Sequence, residues 1–157
     1  LLRYMVRIWE RAEAAGEDPL PAIVPLVVYH GRAAWSAPED FPALLRVPAA
    51  LLPYVPAFRY VLADLGRIDD AGLSDLAVLR AGLLALKYVL REDLPPRLAD
   101  MLAPLAGENL EITVTLLRYV LSGPWRLQDQ ELRRAIWSAL PGEEARIMST
   151  LTDQWVE

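Results

Sequence analysis

The chain has 157 residues, 54% of them hydrophobic, with no cysteine, one histidine and a formal net charge of −5 at pH 7. That length suits one domain, or a domain with an extension, with ample apolar matter for a core. The composition excludes a disulfide frame, a thiol metal site and a His-based metal cluster within one chain, and the acidity argues against indiscriminate nucleic-acid binding.

Leu1–Ala15 reads as an amphipathic helix. Leu2, Met5, Trp9 and Ala12 follow 3-4-3 spacing and form one face. Arg3, Arg7 and Arg11 fall at i, i+4 and i+8 on the opposite face. Such a stripe can contact phosphates. The default is a solvated face, partly offset by Glu10 and Glu13. Gly16 stands where a C-cap glycine is expected.

Next comes an apolar, β-branched run, Pro21-Ala22-Ile23-Val24-Pro25-Leu26-Val27-Val28-Tyr29-His30-Gly31, read as a buried strand. Pro25 lacks an N–H, so the strand is paired on one side only there, or bulged. His30 at its end is a candidate general base or phosphate contact. With no second histidine and no carboxylate at diagnostic spacing, a hydrogen-bonded structural role is the simpler alternative. From Arg32 to Pro56 five prolines exclude long helices. There Trp35 and Phe41 anchor the segment on the core, or Trp35 stacks on a base.

Ala57–Leu65 is the second expected strand, with Phe58, Tyr60 and Leu62 alternating with Arg59, Val61 and Ala63. Asp64 and the pair Asp69-Asp70 read as turn residues rather than metal ligands. The two strands and the first helix should bury Trp9, Val27, Tyr29 and Leu62 together.

From Ser74 onward the pattern is helical. Leu76, Leu79, Leu83, Leu86 and Leu90 step 3-4-3-4 behind Ser74 as N-cap, and this seam is expected to face the core. A short helix follows Pro95-Pro96, another is capped by Asn109 and stopped by Gly123-Pro124, and a third is capped by Asp129. A last helix from Glu143 to about Val156 places Ile147, Leu151 and Trp155 on one face. No apolar run reaches membrane-spanning length before a charge or proline breaks it. The start at Leu1 lacks the marks of a signal peptide. A cytoplasmic protein without membrane contact is expected.

Leu1–Trp9 (Leu-Leu-Arg-Tyr-Met-Val-Arg-Ile-Trp), Ala22–Gly31 (Ala-Ile-Val-Pro-Leu-Val-Val-Tyr-His-Gly) and Trp35 together resemble the recombination-promoting nuclease (Rpn) family. Its members, also called YhgA-like transposases, are bacterial relatives of the PD-(D/E)XK nucleases. Phe58–Leu65 resembles the next strand of that family. The resemblance covers most of the chain and thins after about Leu90. It implies a mixed α/β fold: a partial PD-(D/E)XK-like core with two recognisable strands at 1–66, then a predominantly helical extension at 67–157. It also implies a metal-dependent DNA endonuclease, with Mg²⁺ as the cofactor of the full-length relative and Arg3, Arg7, Arg11 and His30 as candidate DNA contacts. The family's catalytic Asp and its Glu-x-Gln or Glu-x-Lys pair lie upstream of the helix that begins here, and this chain contains none of those positions. Together with the missing initiator Met, this gives the expectation of a fragment of a longer protein.

Three functions are compatible with these residues. The first is the non-catalytic C-terminal portion of an Rpn-type endonuclease. The second is a stand-alone dimerisation or regulatory module that binds a full-length relative. The third is an unrelated small-molecule enzyme using His30 and Asp64. A homodimer is expected, paired through strand edges or through the Leu76–Leu90 and Ile147–Trp155 faces.

Overall fold

The computed structural model describes residues 1–153. Trp155 and Val156, expected on the last helix, lie outside the described residues. The chain divides into two compact units. One comprises Leu1–Tyr29 and Trp35–Asp64, the other His30–Ala34 and the chain from Leu65 onward.

The first unit is mixed α/β. Helix α1 (Leu2–Ala14) buries Met5 and Ala12. The Trp9 indole N–H donates to the Pro21 carbonyl at 2.9 Å, tying the helix to the segment that precedes the strand. Gly16, at φ +79°, lets the chain leave the helix, with its N–H on Glu13 O and that of Glu17 on Ala12 O. Strands β1 (Leu26–Tyr29) and β2 (Val61–Asp64) pair in parallel, with Leu26 opposite Val61 and Tyr29 opposite Asp64.

Both strands are shorter than their apolar runs. Pro25 cannot donate to a ladder, but its carbonyl accepts the Val61 N–H at 2.9 Å, and pairing begins there. On the other run, Phe58–Tyr60 is drawn away into an antiparallel bridge, with the Phe41 N–H on Phe58 O and the Tyr60 N–H on Glu39 O. Between the strands the proline-rich segment forms two 3₁₀ turns, Phe41–Leu44 and Ala49–Tyr54.

The five side chains expected in a buried core, Trp9, Val27, Tyr29, Trp35 and Leu62, are half-buried instead. The reason lies in the sheet. One face carries Val27, Tyr29 and Leu62; the other presents Leu26 (58% exposed), Val28 and Val61 (54% exposed) to water. Parallel strands are ordinarily covered on both faces, so this pair is half-clothed.

The second unit is helical, with α2 (Ala77–Tyr88), α3 (Leu94–Leu102), α4 (Leu110–Leu121), α5 (Asp129–Ala139) and α6 (Glu144–Asp153). Its central helix is α3, which packs on α2 and α5, while α4 packs on α2 and α6. Leu94, Leu98, Met101 and Leu102 of α3 are fully buried, joined by Leu117 of α4, Ile136 of α5 and Ile147 of α6.

The caps follow local chemistry. The Asn109 side chain accepts the Glu111 N–H at 2.9 Å. Asp129 is the first residue of α5 rather than its cap; Gln128 stands there, and its N–H donates to the Glu131 carboxylate at 3.0 Å. Ser74 accepts the Leu76 N–H, and α2 begins three residues after it. The larger difference concerns the leucine seam of α2. Ala81, Leu84, Ala85 and Tyr88 enter the core, while Leu76 and Leu79 stay exposed and Leu83, Leu86 and Leu90 are half-buried.

Candidate functional site

Arg3, Arg7 and Arg11 all stand exposed on α1. Among the described residues none of the three makes an ion pair, so the stripe is a free row of guanidinium groups about one turn apart. By contrast Arg59, also in the first unit, is neutralised by Asp40 at 3.0 Å and Glu39 at 3.8 Å. In the first unit the α1 row and Arg46 are thus the exposed arginines without an ion pair among the described residues.

Trp35 is committed to packing. Its ring meets Tyr29 edge-on at 4.9 Å between centroids and Tyr60 at 6.2 Å. Its indole N–H lies 2.9 Å from both the Ala37 carbonyl and the Tyr60 hydroxyl. Tyr60 is itself buried, and its hydroxyl donates to Pro38 O at 2.9 Å.

His30 is half-buried. Its Nδ1 is enclosed with no hydrogen-bond partner among the described residues. It belongs to the second unit and Asp64 to the first.

A polar cluster that sequence reasoning missed lies at the start of the second unit. Lys87 is buried on α2, and its ammonium donates to Asp70 Oδ1 and to the Ile68 carbonyl, each at 2.6 Å. The Tyr88 hydroxyl donates to the same carboxylate at 2.8 Å. Burial pushes the Asp70 carboxyl up, but the hydrogen bonds from Lys87 and Tyr88 and the charges of Lys87 and Arg97 outweigh it and hold the group below its ordinary value. The Tyr88 hydroxyl is pushed up to about 12 by burial and by its bond to Asp70. The available signal was composition: Lys87 is the chain's single lysine, set inside the apolar run Leu83–Leu90.

Among the described residues no group of three or more His, Cys, Asp or Glu side chains is placed to hold a metal ion. These residues do not fit a catalytic divalent cation. Asp69 and Asp70 sit in a turn, with Asp70 taken by Lys87, and Asp64 ends β2. No described helix is long and apolar enough to cross a membrane.

No curated protein and no solved structure matches the chain. The family model described as "Putative transposase, YhgA-like" matches residues 1–122. The match takes in the α1 arginine row, both strands and the cluster around Lys87, and it runs past Leu90 to the end of α4. With so much of its length matched, from the first helix through the fourth, the chain belongs to the YhgA-like transposase family.

Proposed function

We propose that this chain is the non-catalytic portion of an Rpn-type, metal-dependent DNA endonuclease acting in the cytoplasm. On this reading the Mg²⁺ ligands come from a segment that adds to β1 and β2. The bare face of the parallel pair carries the proposal. Leu26, Val28 and Val61 expose an apolar surface that parallel strands normally cover, and a two-stranded sheet is marginal alone. An added segment would complete the sheet and bring carboxylates to a site that the described residues do not supply. The Arg3, Arg7 and Arg11 row would then hold the phosphate backbone, positioning DNA without reading its sequence.

The test is nicking of supercoiled plasmid with Mg²⁺, Mn²⁺ or Ca²⁺. No cleavage is expected from this chain with any of them. Mg²⁺- or Mn²⁺-dependent cleavage is expected from a product extended upstream. In that product Arg3→Ala with Arg7→Ala should weaken DNA binding more than turnover. Metal-dependent cleavage by the short chain, abolished by His30→Ala or Asp64→Ala, would overturn the proposal and favour an independent enzyme.

A further inference from the structure

Tyr4 stands in the arginine row of α1, between Arg3 and Arg7, and is 73% exposed. Among the described residues its ring makes no aromatic contact and its hydroxyl no hydrogen bond, so packing within the unit does not use it. It lies three residues before Arg7 and four before Ile8, the two spacings that make neighbours on a helix surface.

The helix sorts its exposed side chains by chemistry. Arg3, Arg7 and Arg11 step about 6 Å apart along the axis. Glu10, Glu13 and Val6 fall on one flank of that row, and Tyr4 and Ile8 on the other. The flank that carries the tyrosine therefore holds no carboxylate of the helix. The result is a line of unpaired guanidinium groups edged by an aromatic ring.

These two kinds of group recognise two parts of a nucleic-acid strand. Guanidinium groups hold phosphates, and an exposed ring stacks on the face of a base. In a duplex the bases cover one another's faces and show only their edges, so the ring gains little there; an unpaired strand offers the faces. An anionic lipid surface fits less well. A helix lying on lipid needs one continuous apolar face. That face of α1 is spent within its own unit, with Met5 and Ala12 buried and Trp9 bonded to Pro21. The exposed Val6 and Ile8 stand about 160° apart around the helix, on opposite flanks.

We infer that α1 prefers single-stranded DNA to duplex, with Arg3, Arg7 and Arg11 along the phosphates and Tyr4 stacked on an unpaired base. This rests on the DNA-directed reading above and adds to it the form of strand that is held.

Fluorescence anisotropy with labelled oligothymidine of about 15 nucleotides, and with a duplex of the same length, tests it. At about 50 mM salt the single strand should bind at least about tenfold tighter than the duplex. The logarithm of its affinity should fall with that of salt at a slope of about −2, for three contacts at about 0.7 each. Tyr4→Ala should weaken the single strand about tenfold and leave the duplex within about twofold, with the helical circular dichroism unchanged. Tyr4→Phe should bind like the wild type, because stacking needs the ring and not the hydroxyl. Arg3→Ala with Arg7→Ala should weaken both forms. Equal affinity for the two forms, or wild-type binding by Tyr4→Ala, would overturn the inference; the phosphate role of the row would survive if the arginine variant still weakened both. No binding of either form would overturn both together, and plasmid nicking by the extended product would still decide the nuclease reading on its own. Tighter binding of oligouridine, or retention on phosphatidylserine vesicles against excess oligothymidine, would overturn DNA as the partner.

Discussion

Leu98→Ala is expected to destabilise the helical unit by about 3–5 kcal/mol, the range for a fully buried leucine whose site cannot collapse. Leu98 is 0% exposed on α3, the short helix that packs on both α2 and α5. Its neighbours Leu94, Met101 and Leu102 are equally buried, so relaxation on one side opens a gap on the other. Leu79→Ala should cost under about 1 kcal/mol, because half of that residue already faces water. Urea unfolding of the two variants separates the faces of the bundle. Equal losses would mean that the leucine seam of α2 is as much core as α3.

Asp70→Ala is expected to cost about 3 kcal/mol, because it strands the Lys87 ammonium in a site where the side chain is 8% exposed. The Ile68 carbonyl would remain as its partner among the described residues. Lys87→Met should cost less, since the Asp70 side chain is 33% exposed and water can replace part of the lost contact.

The pH dependence follows from the two shifts. Asp70 has a depressed folded pKa, so its contribution is complete above the ordinary value of 3.8 and is lost as pH falls through the folded value. Tyr88 has a raised folded pKa, so its contribution is complete below 10 and is lost as pH climbs toward about 12. The thermal midpoint of wild type should exceed that of Asp70→Ala most clearly between these limits, with the gap closing in acid. A gap that stays constant below pH 3 would show that the carboxylate charge contributes nothing. As a second readout, Lys87 is the only side-chain amine in the chain, and it should resist acylation until the unit unfolds.

Local signals in the sequence translate well into this structure. Asn109 caps α4 and Gly16 ends α1, because each depends on a residue's own backbone chemistry, whereas Pro25, expected within the first strand, stands just before β1. The facing of α2 could not be read the same way. Leu76, Leu79, Leu83 and Leu86 form one apolar stripe, and Ala81, Leu84, Ala85 and Tyr88 form another. Periodicity identifies a stripe but not the surface that covers it. The strand pair shows the same limit. Alternation in Val27, Tyr29 and Leu62 marks a face, yet how deeply that face is buried depends on layers packed above it. The Asp70–Lys87–Tyr88 cluster was hidden because its partners lie 17 and 18 residues apart and meet only when α2 folds back on the turn. On the functional side, the arginine row was visible as an i, i+4, i+8 pattern, and the edge-on partners of Trp35 were not.

The proposed reading, in which this chain's own residues do not supply the metal site of an endonuclease, is tested most directly by Mn²⁺ titration followed by electron paramagnetic resonance. The free-ion signal reports unbound Mn²⁺ without need of DNA or turnover. With the chain at about 100 μM, the signal should match that of buffer alone, because among the described residues no cluster of ligands is placed to bind the ion tightly. Loss of signal with one-to-one stoichiometry, removed by Asp64→Ala or by Asp69→Ala with Asp70→Ala, would contradict the claim and place a metal centre within this chain.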